Sequence, residues 1–230
     1  MPADLQTIAD PRLILLAWAS GLALVAGVIS LSRIVGPGFT WVAAGFAALV
    51  GLPGVFADGA WWARAGMLAL VVGLAWARNR RLAGVLLAVA GLAYLVEAVL
   101  FSGWVSAVTG TLALGGVTGE MALGHWYLVD PRLPRSALRN LAYVGVAGLM
   151  AEAAFQVGLE IGFSGGGALG FWVLLVTSVV LMAAVVAALR YPAYSGVMAA
   201  TGLSYLALLT TLGAVFVGRA LAAGLGPFDL

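Results

Sequence analysis

Eight predominantly apolar stretches of about 18 to 25 residues follow one another along this chain, each near the length that crosses a bilayer core. They fall near residues 12–33, 39–56, 60–77, 82–101, 104–127, 140–163, 167–189 and 193–221. Short breakers separate them, among them Gly36-Pro37-Gly38, Arg78-Asn79-Arg80-Arg81 and Arg190-Tyr191-Pro192. Lipid offers the backbone no hydrogen bonds, so such stretches must satisfy their own amides as helices. The expected fold is an all-α polytopic membrane bundle of about eight transmembrane helices, a single transmembrane domain over residues 1–230. The second stretch is short and carries Pro53; if it breaks or re-enters, the count drops to seven.

The charges divide along the same lines. Arg33, Arg78, Arg80, Arg81, Arg132, Arg135, Arg139 and Arg190 fall on one side of an eight-helix arrangement, and Arg12, Arg64 and Arg219 on the other. The positive-inside rule then makes the first side cytoplasmic and leaves both termini outside. The first eleven residues carry Asp4 and Asp10 and lack the basic start of a signal peptide, so the first stretch is expected to stay as a helix. The expected location is a prokaryotic cytoplasmic membrane.

Composition removes several kinds of chemistry. The chain of 230 residues is 63% hydrophobic and 9% charged, which leaves no polar segment large enough for a soluble catalytic domain. Cysteine is absent, excluding disulfides, thiolate catalysis and iron–sulfur ligation. All eleven basic residues are arginine, so a lysine Schiff base is excluded too. A single histidine, His125, rules out haem held by two histidines of this chain, and no metal site is expected. No serine carries a nucleophile elbow, and Ser164-Gly165-Gly166-Gly167 lacks the Gly-Lys-Ser/Thr of a phosphate cradle, so no catalytic residue is assigned. The excess of two positive charges reads as topology, not nucleic-acid binding.

Against this background, polar residues inside the apolar stretches stand out. Glu152, Gln156 and Glu160 recur at four-residue spacing and so stack on one helix face. Glu120 shares a face with Gly116 and Gly124, as Glu152 does with Gly148, which turns both carboxyl groups toward close-packed neighbouring helices. An ionisable group at membrane depth costs at least about 2.5 to 3.5 kcal/mol, which makes each a candidate for function. Counted from the arginine-rich ends, Glu120 lies roughly 10 Å in and Glu152 roughly 18 Å in. The two stretches are consecutive, so these carboxyl groups are expected near one another.

Glu97 in the fourth stretch and Glu160 extend this series outward, with Arg64 and Arg219 as candidate counter-charges at similar depth. Thr118, Tyr143 and Tyr205 are candidate links between them. His125, beside Trp126 and Tyr127 at the inner edge, suits proton entry because imidazole titrates near neutrality. Glu120 and His125 are five residues apart, about 140° around a helix, and make a poor pair for one metal.

The leading expectation is a small membrane protein that moves protons, or a proton-coupled ion or solute, along these groups. The alternative is a membrane anchor or quinone-binding subunit of a larger redox or energy-converting complex such as a respiratory one, with quinone held by His125, Tyr127 and Glu120. No cofactor is encoded by a motif. Besides lipid, the expected partners are other membrane subunits or further copies of the chain. Loop 130–139, with three arginines, could also meet an acidic partner or lipid headgroup.

Overall fold

A computed structural model describes residues 5–131, 133–159 and 165–224. Among these every regular element is an α-helix. A single turn, α1 (Leu5–Ile8), precedes eight longer helices: α2 (Pro11–Ser32), α3 (Pro37–Val55), α4 (Trp61–Ala75), α5 (Arg80–Ser102), α6 (Trp104–Val129), α7 (Arg135–Gly158), α8 (Gly166–Arg190) and α9 (Tyr194–Ala222). Within the described residues each expected stretch has a helix of its own.

Six of the eight, α2, α3, α5, α7, α8 and α9, are long and apolar enough to cross a membrane. The two that differ do so for separate reasons. α4 has only 15 residues, about 22 Å of helix against a hydrocarbon core of about 30 Å. α6 has ample length at 26 residues, but glycine, threonine, Glu120 and His125 dilute its apolar character. α6 is also one of the most enclosed helices, so protein rather than lipid meets most of its side chains. The helix with Pro53 does not break: α3 runs through it and stops two residues later, forgoing the one bond that an amide there would give the Leu49 carbonyl.

Helix ends follow local chemistry. The Asp10 carboxylate accepts from the Arg12 amide at 2.8 Å while Pro11 occupies the first helical position of α2. Asn79 caps α5 by accepting from the Leu82 amide at 3.3 Å. A single residue, Gly103 at φ 81°, reverses the chain between α5 and α6, a conformation that a side chain would resist. α7 begins at Arg135, five residues before the start read from hydropathy, because a first turn of Arg135-Ser136-Ala137-Leu138 can be polar outside while Leu138 is buried inside.

The helices run up and down, so that their ends gather at two faces. At one, Arg80 Nη1 reaches the Arg33 carbonyl (3.4 Å), Phe39 meets Trp126 edge to face (6.1 Å), and Arg135 donates to the carbonyls of Tyr191 and Pro192 at 2.6 Å each. This is the arginine-rich face. At the other, Thr7 donates to the Phe101 carbonyl (2.7 Å) and Arg219 to the Ser106 carbonyl (2.8 Å).

α2 and α6 form the centre. α2 packs on α3, α5 and α6, while α6 also packs on α7 and α9. Glycine sets the separations: a Cβ on Gly21 of α2 would lie 2.5 Å from Gly115 Cα of α6, and one on Gly148 of α7 would strike the Ala113 amide of α6. Buried hydroxyls and one indole tie the same helices together, with Trp18 Nε1 donating to Thr118 Oγ1 at 2.8 Å and Ser20 donating to the Gly91 carbonyl at 2.8 Å. The outer surface is apolar, carrying Val28, Leu49, Leu68, Leu100, Val180 and Leu209 among its exposed residues, as lipid-facing helices require.

Candidate functional site

Two buried polar places lie on the inner faces of α6, α7 and α9, and they differ in kind. The first is built around Glu152. Its spacing of four from Gln156 puts both on one face of α7, and Gln156 Nε2 donates to Glu152 Oε1 at 3.1 Å. The other oxygen, Oε2, accepts from Thr109 Oγ1 of α6 (2.7 Å) and from Arg219 Nη2 of α9 (2.9 Å). The same Nη2 also faces the Ser106 carbonyl (2.8 Å) and Thr109 Oγ1 (3.1 Å). Exposure of the pair is 2% for Arg219 and 0% for Glu152, so this is an ion pair closed off from the surface.

Small residues make room for the guanidinium. Gly110 leaves open a position 3.6 Å from Arg219 Nη2, and a Cβ on Gly218 would come within 2.7 Å of Gln156 Nε2. The Phe155 ring lies under the guanidinium, 4.6 Å from Arg219 Cζ to the ring centroid. Arg219 sits in the last turn of α9, where the helix dipole favours a cation. Among the described residues two polar atoms of this cluster have no partner, Arg219 Nη1 and Gln156 Oε1. A void of about 10 Å³, the size of one water, adjoins Arg219, Ser106 and Gly110.

The second place is Glu120. It is 0% exposed, and among the described residues no donor meets either carboxyl oxygen at hydrogen-bond geometry. It faces α9 beside Gly124, where Oε1 stands 3.7 Å from the position of an added Cβ and Thr201 Oγ1 stands 2.7 Å from it. The Ser204 hydroxyl stands close enough to interact with the carboxyl but falls short of hydrogen-bond geometry. Both hydroxyls donate into their own helix, Thr201 to the Val197 carbonyl and Ser204 to the Thr201 carbonyl, each at 2.9 Å.

The expectation that Glu120 and Glu152 stand close is corrected here. Glu152 is bonded to Thr109, eleven residues before Glu120, a separation of about 16 Å along α6. Consecutive helices guarantee contact along their length but not equal depth. Between the two carboxyl groups the buried face of α9 offers Ala207, Leu208 and Thr211, whose Oγ1 also lacks a partner among the described residues.

The remaining sequence candidates are dispersed. Glu97 caps a neighbouring helix: its Oε2 accepts from the Trp62 and Ala63 amides at the start of α4, at 2.9 and 3.1 Å. Arg64 holds the α3–α4 turn, donating to the Val55 and Ala57 carbonyls at 3.2 Å each and lying over Trp61. Of the two candidate counter-charges, Arg219 therefore meets a carboxylate, Glu152, while Arg64 meets backbone. Glu160 lies outside the described residues, as does Arg132. Thr118 is engaged with Trp18, and Tyr143 is exposed on the outer surface.

His125 is exposed, and its Nδ1 pairs with the Tyr205 hydroxyl at 3.2 Å. The pair lines a mostly apolar cavity of about 370 Å³ together with Phe39, Phe46, Met121 and Trp126. Tyr127 and Glu120 do not line it, so the set expected to hold a quinone is divided and Tyr205 stands in its place. Among the described residues no three His, Asp or Glu side chains gather as metal ligands.

Sequence reasoning placed Arg219 among the outer groups but did not connect it with Thr109, Ser106 or Phe155, residues too ordinary to signal a site. Compared with known proteins, the chain matches no family model, no curated protein and no solved structure, so what these sites can do is read from their own geometry.

Proposed function

We propose that this chain is a small polytopic membrane protein that moves protons, or a proton-coupled ion or solute, with Glu120 as the group that takes up and releases the proton. One observation carries the reading: Glu120 is fully enclosed on the α6–α9 interface, and among the described residues Ser204 is near it but no group meets either oxygen at hydrogen-bond geometry. A carboxyl that ties helices together uses its oxygens, as Glu97 and Glu152 do. One left bare at membrane depth costs stability without binding anything, which fits a group whose partner arrives only during a working cycle.

In this reading the Glu152–Arg219 pair is the closed outer end, and the stretch between it and Glu120, apolar but for the Thr211 hydroxyl, limits leakage. Transport then requires α9 to shift against α6, opening Glu120 to one side and loosening the pair toward the other. His125 is the inner entry, Gln156 the polar neighbour of the closed end, and Glu160, which lies outside the described residues, the outward continuation expected from the four-residue spacing of the sequence. The arginine-rich face is assigned to the cytoplasm by the positive-inside rule, with both termini outside, in a prokaryotic cytoplasmic membrane.

Reconstituted vesicles holding a trapped pH dye test this directly. Wild-type protein should dissipate an imposed pH gradient, Glu120→Gln should not, and an infrared difference spectrum should lose one carboxyl band on that exchange. Unaltered flux from folded Glu120→Gln protein rejects the assignment.

A second reading, the anchor or quinone-binding subunit of a redox complex, is favoured by the cavity at His125 and Tyr205. At about 370 Å³, mostly apolar with two convergent polar groups, it suits a ring-bearing lipophilic ligand. A short-chain quinone should quench Trp126 fluorescence in wild-type protein and not in His125→Ala, and gentle detergent extraction should yield a stoichiometric partner.

A further inference from the structure

The α2–α3 and α4–α5 turns are distant in sequence, yet Arg33 of the first and Arg78, Arg80 and Arg81 of the second surround one cleft of about 460 Å³. Asn79 completes its lining, and no carboxylate contributes. Among the described residues none of these four arginines forms an ion pair. The gathering is built into the backbone. Arg33 ends α2 in the left-handed region at φ 57°, unusual for a residue with a side chain, and its carbonyl receives Arg80 Nη1 at 3.4 Å. The N-terminus of α5 opens at the same place and adds the positive end of a helix dipole.

Four guanidinium groups around one cleft repel one another, and nothing in the lining offsets that repulsion. The positive-inside rule accounts for arginines on this face, but not for two separate turns being drawn together around shared space. We propose that the cleft binds the phosphate of an anionic phospholipid headgroup. Guanidinium is the fitting donor, since its planar fork meets phosphate oxygens in pairs. The lipid source follows from what lies beside the cleft: Leu31, Trp76 and Leu82 are exposed apolar residues next to these arginines along α2, α4 and α5, placed to meet acyl chains. A basic pocket between helix ends on this face is a recognised setting for lipid phosphates. This site is independent of Glu120 and of the cavity at His125.

Native mass spectrometry of the full chain released from detergent micelles tests it, with phosphatidylglycerol and phosphatidylethanolamine offered at equal concentration. Phosphatidylglycerol should be retained preferentially. Arg78 and Arg81 are exposed and bond to no backbone group, so the double variant Arg78→Gln/Arg81→Gln should fold, and should lower that retention by about fivefold per arginine removed. Arg190→Gln, on the same face but outside the cleft, should leave it unchanged. Equal retention of the two lipids, or undiminished retention by the double variant, overturns the proposal. Displacement of phosphatidylglycerol by modest inorganic phosphate overturns the lipid assignment in favour of a free anion.

Discussion

Arg219 Nη2 lies 2.9 Å from Glu152 Oε2, joining the last turn of α9 to the final third of α7 through a pair that is almost wholly enclosed. Thr109 and Ser106 of α6 share the same nitrogen, so three helices meet at one guanidinium. Removing one partner strands the other's charge. Arg219→Met should therefore cost about 3 to 5 kcal/mol. The double variant Arg219→Met/Glu152→Leu should recover much of that loss. Unfolding in detergent, followed by helicity, measures both; a double variant no better than the single would mean the pair's charges are not what matters.

Glu120 predicts the opposite behaviour. Among the described residues its oxygens make no hydrogen bond of good geometry, so Glu120→Gln and Glu120→Leu should unfold no sooner than wild type, and the leucine variant somewhat later. Earlier unfolding of Glu120→Leu would expose a structural partner and weaken the transport reading.

Glu97 acts across helices, its carboxylate satisfying two amides of the first turn of α4. Glu97→Ala should destabilise the protein by about 1 to 2 kcal/mol, as loss of a cap does. Hydrogen exchange should quicken first at the Trp62 and Ala63 amides, and Glu97→Gln, whose amide oxygen still accepts, should restore part of the protection.

Close helix approach makes some glycines irreplaceable and others idle. Gly148→Ala drives a methyl group into the Ala113 amide and should cost about 1 to 3 kcal/mol or more. Gly45, with open space around it in the middle of α3, should accept alanine with a gain of up to about 1 kcal/mol. Equal effects at the two positions would show that backbone entropy rather than contact governs both.

The Trp18–Thr118 hydrogen bond joins α2 to α6. A double-mutant cycle with Trp18→Phe and Thr118→Val should give a coupling of about 0.6 kcal/mol, typical of interhelical bonds within membranes.

The order and approximate bounds of eight helices follow from the chain alone, because lipid-facing segments must be apolar over a fixed length and glycine, proline and arginine mark where they end. The buried status of Glu120 and Glu152 was also legible, since glycine at four-residue spacing marks the face where another helix comes close. Depth and partnership were not. Which of Glu97, Glu120 and Glu152 meets an arginine, a helix end or nothing depends on how far α6, α7 and α9 slide past one another, and that register is set by packing of Gly148 on Ala113 and of Gly218 on Gln156, contacts between residues distant in sequence. Hydropathy responds to the environment of single residues along one helix; an ion pair, a bare carboxyl or a cleft of four arginines exists only once separate helices have been brought side by side.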